Sequence, residues 1–234
     1  MMLQVRKSHE RGHFNHGWLN TYHTFSFAEY RDPAFMGFRA LRVINEDSIQ
    51  PSVGFPAHSH KNMEIITFIL EGALEHKDSM GNGSVILPGD VQYMSAGSGV
   101  THSEFNHSSE DVTHLIQIWI LPNKLDTKPH YDQKHFELNK RPGEFHLLAS
   151  GQKHDTALQI QQDVNLYALF VKPDTEVPFA LNKDRYAWIQ ILRGSILVNG
   201  QILEAGDGMS VMQETTLLFK SQIEAAELLL FDLQ

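Results

Sequence analysis

The feature that most limits how this chain can fold is its punctuation. Between residues 39 and 120 short apolar runs follow one another at 39–44, 65–70, 84–87, 91–94 and 114–120, separated by Gly72, Gly81, Gly83, Gly89, Gly97 and Gly99. Runs of four to eight residues bounded by Gly and Asp turns read as strands, and hardly any stretch keeps the 3.6-residue period of a helix. The expectation is an all-β chain built as a barrel or sandwich with few short helices.

The second half restates the first. Val177-Pro178 to Gly194 aligns on the stretch from Val53 through Phe55-Pro56 to Gly72, keeping the Pro, the apolar strand and the closing Gly, and Ala205-Gly206-Asp207 matches Pro88-Gly89-Asp90. In this alignment His58 falls on Ala180, His60 on Asn182 and Glu64 on Tyr186, and residues 211–220 hold no counterpart of His102 or Glu104. The polar stretch 126–143, marked by Pro129 and Pro142, reads as a connection. Two β-barrels in tandem are predicted, residues 1–132 with the metal ligands and residues 133–234 without them. The last apolar run, 228–233, reads as a strand that docks.

Within the first copy, Gly54-Phe-Pro-Ala-His58-Ser-His60-Lys-Asn-Met-Glu64 carries the chemistry. In an extended chain His58, His60 and Glu64, all at even positions, face one way. His102 and Glu104, again two apart, repeat the device. With 14 histidines in 234 residues a single His-x-His arises by chance, so the weight rests on the second pair and on the turn Pro88-Gly89-Asp90 between them. Three imidazoles and a carboxylate, with no cysteine in the chain, suit Fe, Ni, Cu or Zn and leave coordination positions for water, oxygen or substrate. That is the make-up of a catalytic rather than a structural site, with Glu64 or Glu104 as the carboxylate.

Other features exclude alternatives. A net charge of −9 with scattered basic residues argues against a nucleic-acid surface. There is no apolar run of membrane-spanning length and no signal-like start, so a cytoplasmic chain without a membrane partner is expected. Gly97-Ser98-Gly99 lacks the spacing of a serine nucleophile elbow. His13, His16 and His23 fit no ligand spacing and read as surface or satisfied side chains, and Phe25 and Phe27 read as one face of a strand, preferentially core.

His-x-His, a carboxylate, Pro-Gly-Asp and a later His together resemble the metal motifs of the cupin superfamily. Phe25-Ser26-Phe27-Ala28-Glu29-Tyr30, Met36-Gly37-Phe38, residues 41–47, Leu70-Glu71-Gly72 and Met94-Ser95-Ala96-Gly97 resemble more specifically the bacterial pirins, densely over residues 5–122 and loosely beyond. The resemblance implies a bicupin, two jelly-roll (double-stranded β-helix) barrels. It also implies one divalent metal held by His58, His60, His102 and Glu104, with iron(II) as first choice and Ni, Mn, Co, Cu or Zn open. Glu64 then becomes an outer carboxylate that orients an imidazole, and Glu104 also serves as base. The implied activity is that of a monomeric quercetin 2,3-dioxygenase, cleaving a phenolic flavonol with dioxygen and releasing carbon monoxide. The alternative is a pirin-like regulator acting through a protein partner. One departure is Ser59, where many relatives have Pro between the two histidines.

Overall fold

In a computed structural model, residues 2–234 are described, and among them helical structure is limited to two three-residue 3-10 turns, Ser8–Glu10 and Leu138–Lys140. The strands in chain order are β1 (Met2–Arg6), β2 (Gly12–Asn15), β3 (Leu19–His23), β4 (Leu41–Ile49), β5 (Gly54–His60), β6 (Glu64–Glu71), β7 (Leu74–Asp78), β8 (Gly83–Ile86), β9 (Asp90–Ser95), β10 (Val100–Asn106), β11 (Thr113–Ile120) and β12 (His130–His135). They continue as β13 (Phe145–Ser150), β14 (Leu158–Gln159), β15 (Val164–Val171), β16 (Glu176–Ala180), β17 (Tyr186–Arg193), β18 (Ser195–Val198), β19 (Gln201–Glu204), β20 (Gly208–Met212), β21 (Thr216–Lys220) and β22 (Ala226–Leu233). The expected all-β class is what the chain forms.

Two compact units result, each a seven-stranded sheet with a four-stranded one rather than a closed ring of hydrogen bonds. The N-terminal unit has the orders β12-β9-β6-β11-β4-β3-β2 and β5-β10-β7-β8, and the C-terminal unit β1-β20-β17-β22-β15-β13-β14 and β16-β21-β18-β19. Position by position the orders correspond, β5 with β16, β10 with β21, β6 with β17 and β11 with β22. The duplication read from the Pro and Gly punctuation is thus a duplication of topology.

The division differs from the expected 132/133 in three respects. That boundary falls inside β12, which pairs with β9 from His130↔Ser95 to His135↔Asp90. Its alternating polar sequence and exposed edge gave it the look of a connector. The described residues up to Arg11 belong to the C-terminal unit, because β1 pairs with β20 from Met2↔Met212 to Arg6↔Gly208. In the N-terminal unit β9 is covered by β12, the strand after β11; in the C-terminal unit β1 covers the corresponding edge of β20. Lys7 Nζ and the Ser8 amide donate to the Asp207 carboxylate, both at 2.7 Å, and fasten that arm. The third difference is that Ile160–Gln162 belongs with the N-terminal unit.

β22 is central, between β17 and β15, and is almost wholly buried, which accounts for its apolar run Leu228 to Phe231. Phe25 and Phe27 do not share a strand. Phe25 is buried, whereas the chain turns at Ala28 (φ 49°) through a Phe27–Tyr30 bridge and sends Phe27 edge-on to Trp119, ring centroids 5.2 Å apart.

Candidate metal centre

The site is built where β5 pairs with β10. His58 stands directly across from His102, and alternation brings His60 to the same face. The ring centroids lie 4.4 Å (His58–His102), 4.8 Å (His58–His60) and 4.9 Å (His60–His102) apart, and the ligand atoms of the three lie within 4.8 Å of one another. The register shifts between His102 and Glu104, since Glu104 stands opposite Phe55, and this bulge bends β5 next to the imidazoles. The close approach depends on Gly54: a Cβ there would sit 2.2 Å from the Glu104 carbonyl oxygen.

Glu104 is buried and stands across from His76 of β7. Its Oε2 accepts from Gln117 Nε2 at 2.9 Å, and its ligand oxygen groups with His102 and His76 rather than with His58 and His60. Sequence reasoning missed His76 as a neighbour of the site; its signal was parity, since His76 and Asp78 share the inward face of β7 with Leu74. Both its ring nitrogens have partners, Gln92 Nε2 and Asp78 Oδ2, each at 3.3 Å, and its ring stacks on Tyr131 at 4.9 Å. His76 is therefore held in place and has no spare nitrogen.

Glu64 does something other than the imidazole-orienting role expected of it. Its Oε2 accepts from the Tyr93 hydroxyl at 2.5 Å and the Gln161 amide at 2.7 Å, and its Oε1 from the Gln162 amide at 2.9 Å. It anchors the returning segment 160–162. The face-parity argument fails because Asn62, at φ 66°, turns the chain between β5 and β6 and places Glu64 in the other sheet. His13 and His16 are exposed, and His23 is buried among Phe14, Phe27 and Tyr30; none of them joins a ligand group with the three imidazoles. Ser59 faces out and shares a 2.8 Å hydrogen bond with Thr101.

The donor atoms suit a divalent cation. Both ring nitrogens of His102 and Oε1 of Glu104 are buried with no hydrogen-bond partner among the described residues, an arrangement that costs free energy unless something accepts their lone pairs. His58 Nδ1 donates to the Pro56 carbonyl at 2.8 Å, which leaves its Nε2 lone pair free. Burial holds His60 down to about 4, helped by His58, and His102 down to about 3, helped by His58 and His60. Both imidazoles are thus neutral at pH 7, the form that ligates. Burial pushes Glu104 up to about 7, opposed by the Gln117 hydrogen bond and reinforced by Asp47.

A family model described as pirin matches residues 4–120, and one described as a quercetinase C-terminal cupin domain matches residues 147–233. A protein named quercetin 2,3-dioxygenase from Escherichia coli (strain K12) is 44% identical over 232 residues, 99% of either chain. The chain belongs to the pirin family. A crystal structure of a bacterial pirin from Escherichia coli in complex with nickel(II) is 43% identical, covers 99% of both chains and has a TM-score of 0.94. A quercetin 2,3-dioxygenase from Acinetobacter baumannii shares the fold, with a TM-score of 0.77 at 20% identity over 92% of this chain and 80% of that one. Like these relatives, the chain is a bicupin of two cupin-type domains, and its His/Glu cluster is a cupin-type metal site. No helix among the described residues is long and apolar enough to cross a membrane.

Proposed function

We propose that this pirin is a metal-dependent dioxygenase that cleaves a flavonol such as quercetin and releases carbon monoxide, with His58, His60, His102 and Glu104 as metal ligands and iron(II) as the first choice of ion. The observation that carries the reading is the three-imidazole cluster, with donor atoms lacking protein partners, set beside an apolar and aromatic wall. Ile65, Met94, Ala96 and Val100 are buried in one cluster against which Met63, Trp119 and Tyr131 pack, and the Trp119 ring meets His60 edge-on at 4.9 Å. Such a wall suits a flat phenolic ring and excludes water from reactive oxygen species. The name quercetin 2,3-dioxygenase, carried by relatives at 44% identity from Escherichia coli and, as a putative activity, from Pseudomonas aeruginosa, points to the same substrate class.

A redox-capable ion held by His58, His60, His102 and Glu104 would supply Lewis-acid and redox chemistry beside the bound flavonol. The chain's own residues do the rest. His58 and His102 present ring nitrogens across one strand pair, and His60 is braced by Trp119. Glu104, whose carboxyl burial raises in the metal-free protein, is the carboxylate that would take the proton of the flavonol 3-hydroxyl. Trp119, edge-on to His60, and Tyr131, stacked on His76, would flank the flavonol rings.

The test is turnover by protein reconstituted with iron(II) or nickel(II). Loss of flavonol absorbance, equimolar oxygen uptake and carbon monoxide release are expected from the wild type and not from His102→Ala. If both proteins leave the flavonol intact and a defined protein partner is recovered with the loaded wild type, the regulatory reading replaces this one.

A further inference from the structure

Glu104 faces a side chain that ligand spacing never singled out. Gln117, at the centre of β11, donates from Nε2 to Glu104 Oε2 at 2.9 Å, and its own Oε1 accepts from Trp119 Nε1 at 3.1 Å. An amide can present either its oxygen or its nitrogen to a neighbour. The indole N–H, which only donates, fixes the oxygen on its own side and so directs the NH2 at the carboxylate. The indole that sets this orientation is the one whose ring edge braces His60. One short chain, Trp119 to Gln117 to Glu104, thus joins the histidine from β5 to the carboxylate from β10.

We propose that Gln117, oriented by Trp119, is the positioning residue that selects which oxygen of Glu104 is tied to the protein and which is left for the metal. The proposal rests on the ligand set given above. Glu104 Oε2 is occupied by the amide, whereas Oε1 has no partner among the described residues and is the oxygen available to a cation. The sheet itself does not require an amide here. Gln117 stands across from Thr67 in β11–β6, and the equivalent pair in β22–β17 of the C-terminal unit is Leu230 across from Ile189. Leucine therefore fills this place in the same strand frame, and the amide is present for what it touches.

The experiment measures nickel(II) affinity by chelator competition, and the visible spectrum of the cobalt(II) form, for wild type, Gln117→Leu, Trp119→Phe, Glu104→Gln and the double variant Gln117→Leu/Glu104→Gln. Thermal unfolding of each metal-free protein runs alongside. Loss of a partner that orients a ligand typically weakens metal binding by about 10–100-fold. Gln117→Leu is expected to fall in that range and to change the cobalt spectrum while still unfolding cooperatively. Trp119→Phe keeps the ring against His60 but removes the N–H, and should give a smaller loss of the same sign. The double variant should bind no more weakly than Glu104→Gln alone, because Gln117 acts only through Glu104. The proposal is overturned if Gln117→Leu binds nickel as tightly as wild type with an unchanged cobalt spectrum, or if its loss adds in full to that of Glu104→Gln. Should Glu104→Gln itself leave affinity and spectrum untouched, the four-ligand reading fails first and this proposal with it.

Discussion

The two units have one strand order and opposite interiors. Across β4, β11, β6 and β9 the N-terminal unit carries the row Asn45, Gln117, Thr67, Gln92, each residue opposite the next. Across the corresponding β15, β22, β17 and β20 the C-terminal unit carries Tyr167, Leu230, Ile189, Met209. The strand pair that bears His58 and His102 in one unit bears Phe179 opposite Leu217 in the other. There Phe145 lies 4.7 Å from Phe179 and 5.3 Å from Phe219 in a continuous apolar core. The frame is therefore indifferent to whether its middle layer is dry. Strand pairing through the backbone holds either version, and the polar version exists at a stability cost that function accounts for. In the N-terminal unit one apolar cluster gathers around Ile49, Ile69, Leu74, Ile86 and Leu115 and another around Ile65, Met94 and Val100, with the polar row in the register between.

The largest expected break of this contrast is His102→Ala. Removing a ligand at the centre of the cluster should cost more metal affinity than the roughly 10–100-fold typical of an outer partner, measured by chelator competition. The unfolding of the C-terminal unit should be unaffected. Next is the exchange of interiors. Leu230→Gln puts the amide of Gln117 into the dry core and should destabilise by on the order of 3 kcal/mol, combining lost packing with an unpaired amide. Urea unfolding checks this, and a cost near zero would mean the C-terminal interior is wetter than its packing indicates.

A smaller effect is expected at Asp47, whose carboxyl is buried and raised to about 6 chiefly by burial, with the Thr21 hydrogen bond opposing. The folded protein holds this proton to higher pH than the unfolded chain does. Its contribution to stability is thus present below about 4 and lost as pH rises through about 6. Asp47→Asn in the metal-free protein should therefore be the more stable by on the order of 2 kcal/mol at pH 8, and should match wild type near pH 4. Unfolding curves at the two pH values read the difference. The smallest effect belongs to Ser59→Ala: the exposed Ser59–Thr101 hydrogen bond should be worth less than about 0.5 kcal/mol and nickel affinity should not change.

The residues chosen from sequence divide by how local their geometry is. His58 and His60, and likewise His102 with Glu104, could be paired on one face because strand alternation is a property of the chain itself. Glu64 was assigned to the same face across Asn62, where a single positive φ ends the strand and voids the count. Gln117 and Trp119 could not be reached by spacing, and for His76 parity gives the inward face of its strand but not its neighbours. Their closeness to the ligands comes from cross-strand register between residues 13 or more positions apart, which no local pattern encodes.

By itself the sequence determined the all-β class, the duplication and the copy that carries three imidazoles, since turn residues, apolar run length and ligand alternation all act over a few residues. Tertiary structure alone decided that β1 completes the C-terminal sheet, that Glu64 anchors a returning segment, and that Trp119 and Gln117 stand behind His60 and Glu104. Those outcomes depend on which open edge or unpaired donor lies nearest once the sheets have formed, and that distance exists only in the folded chain.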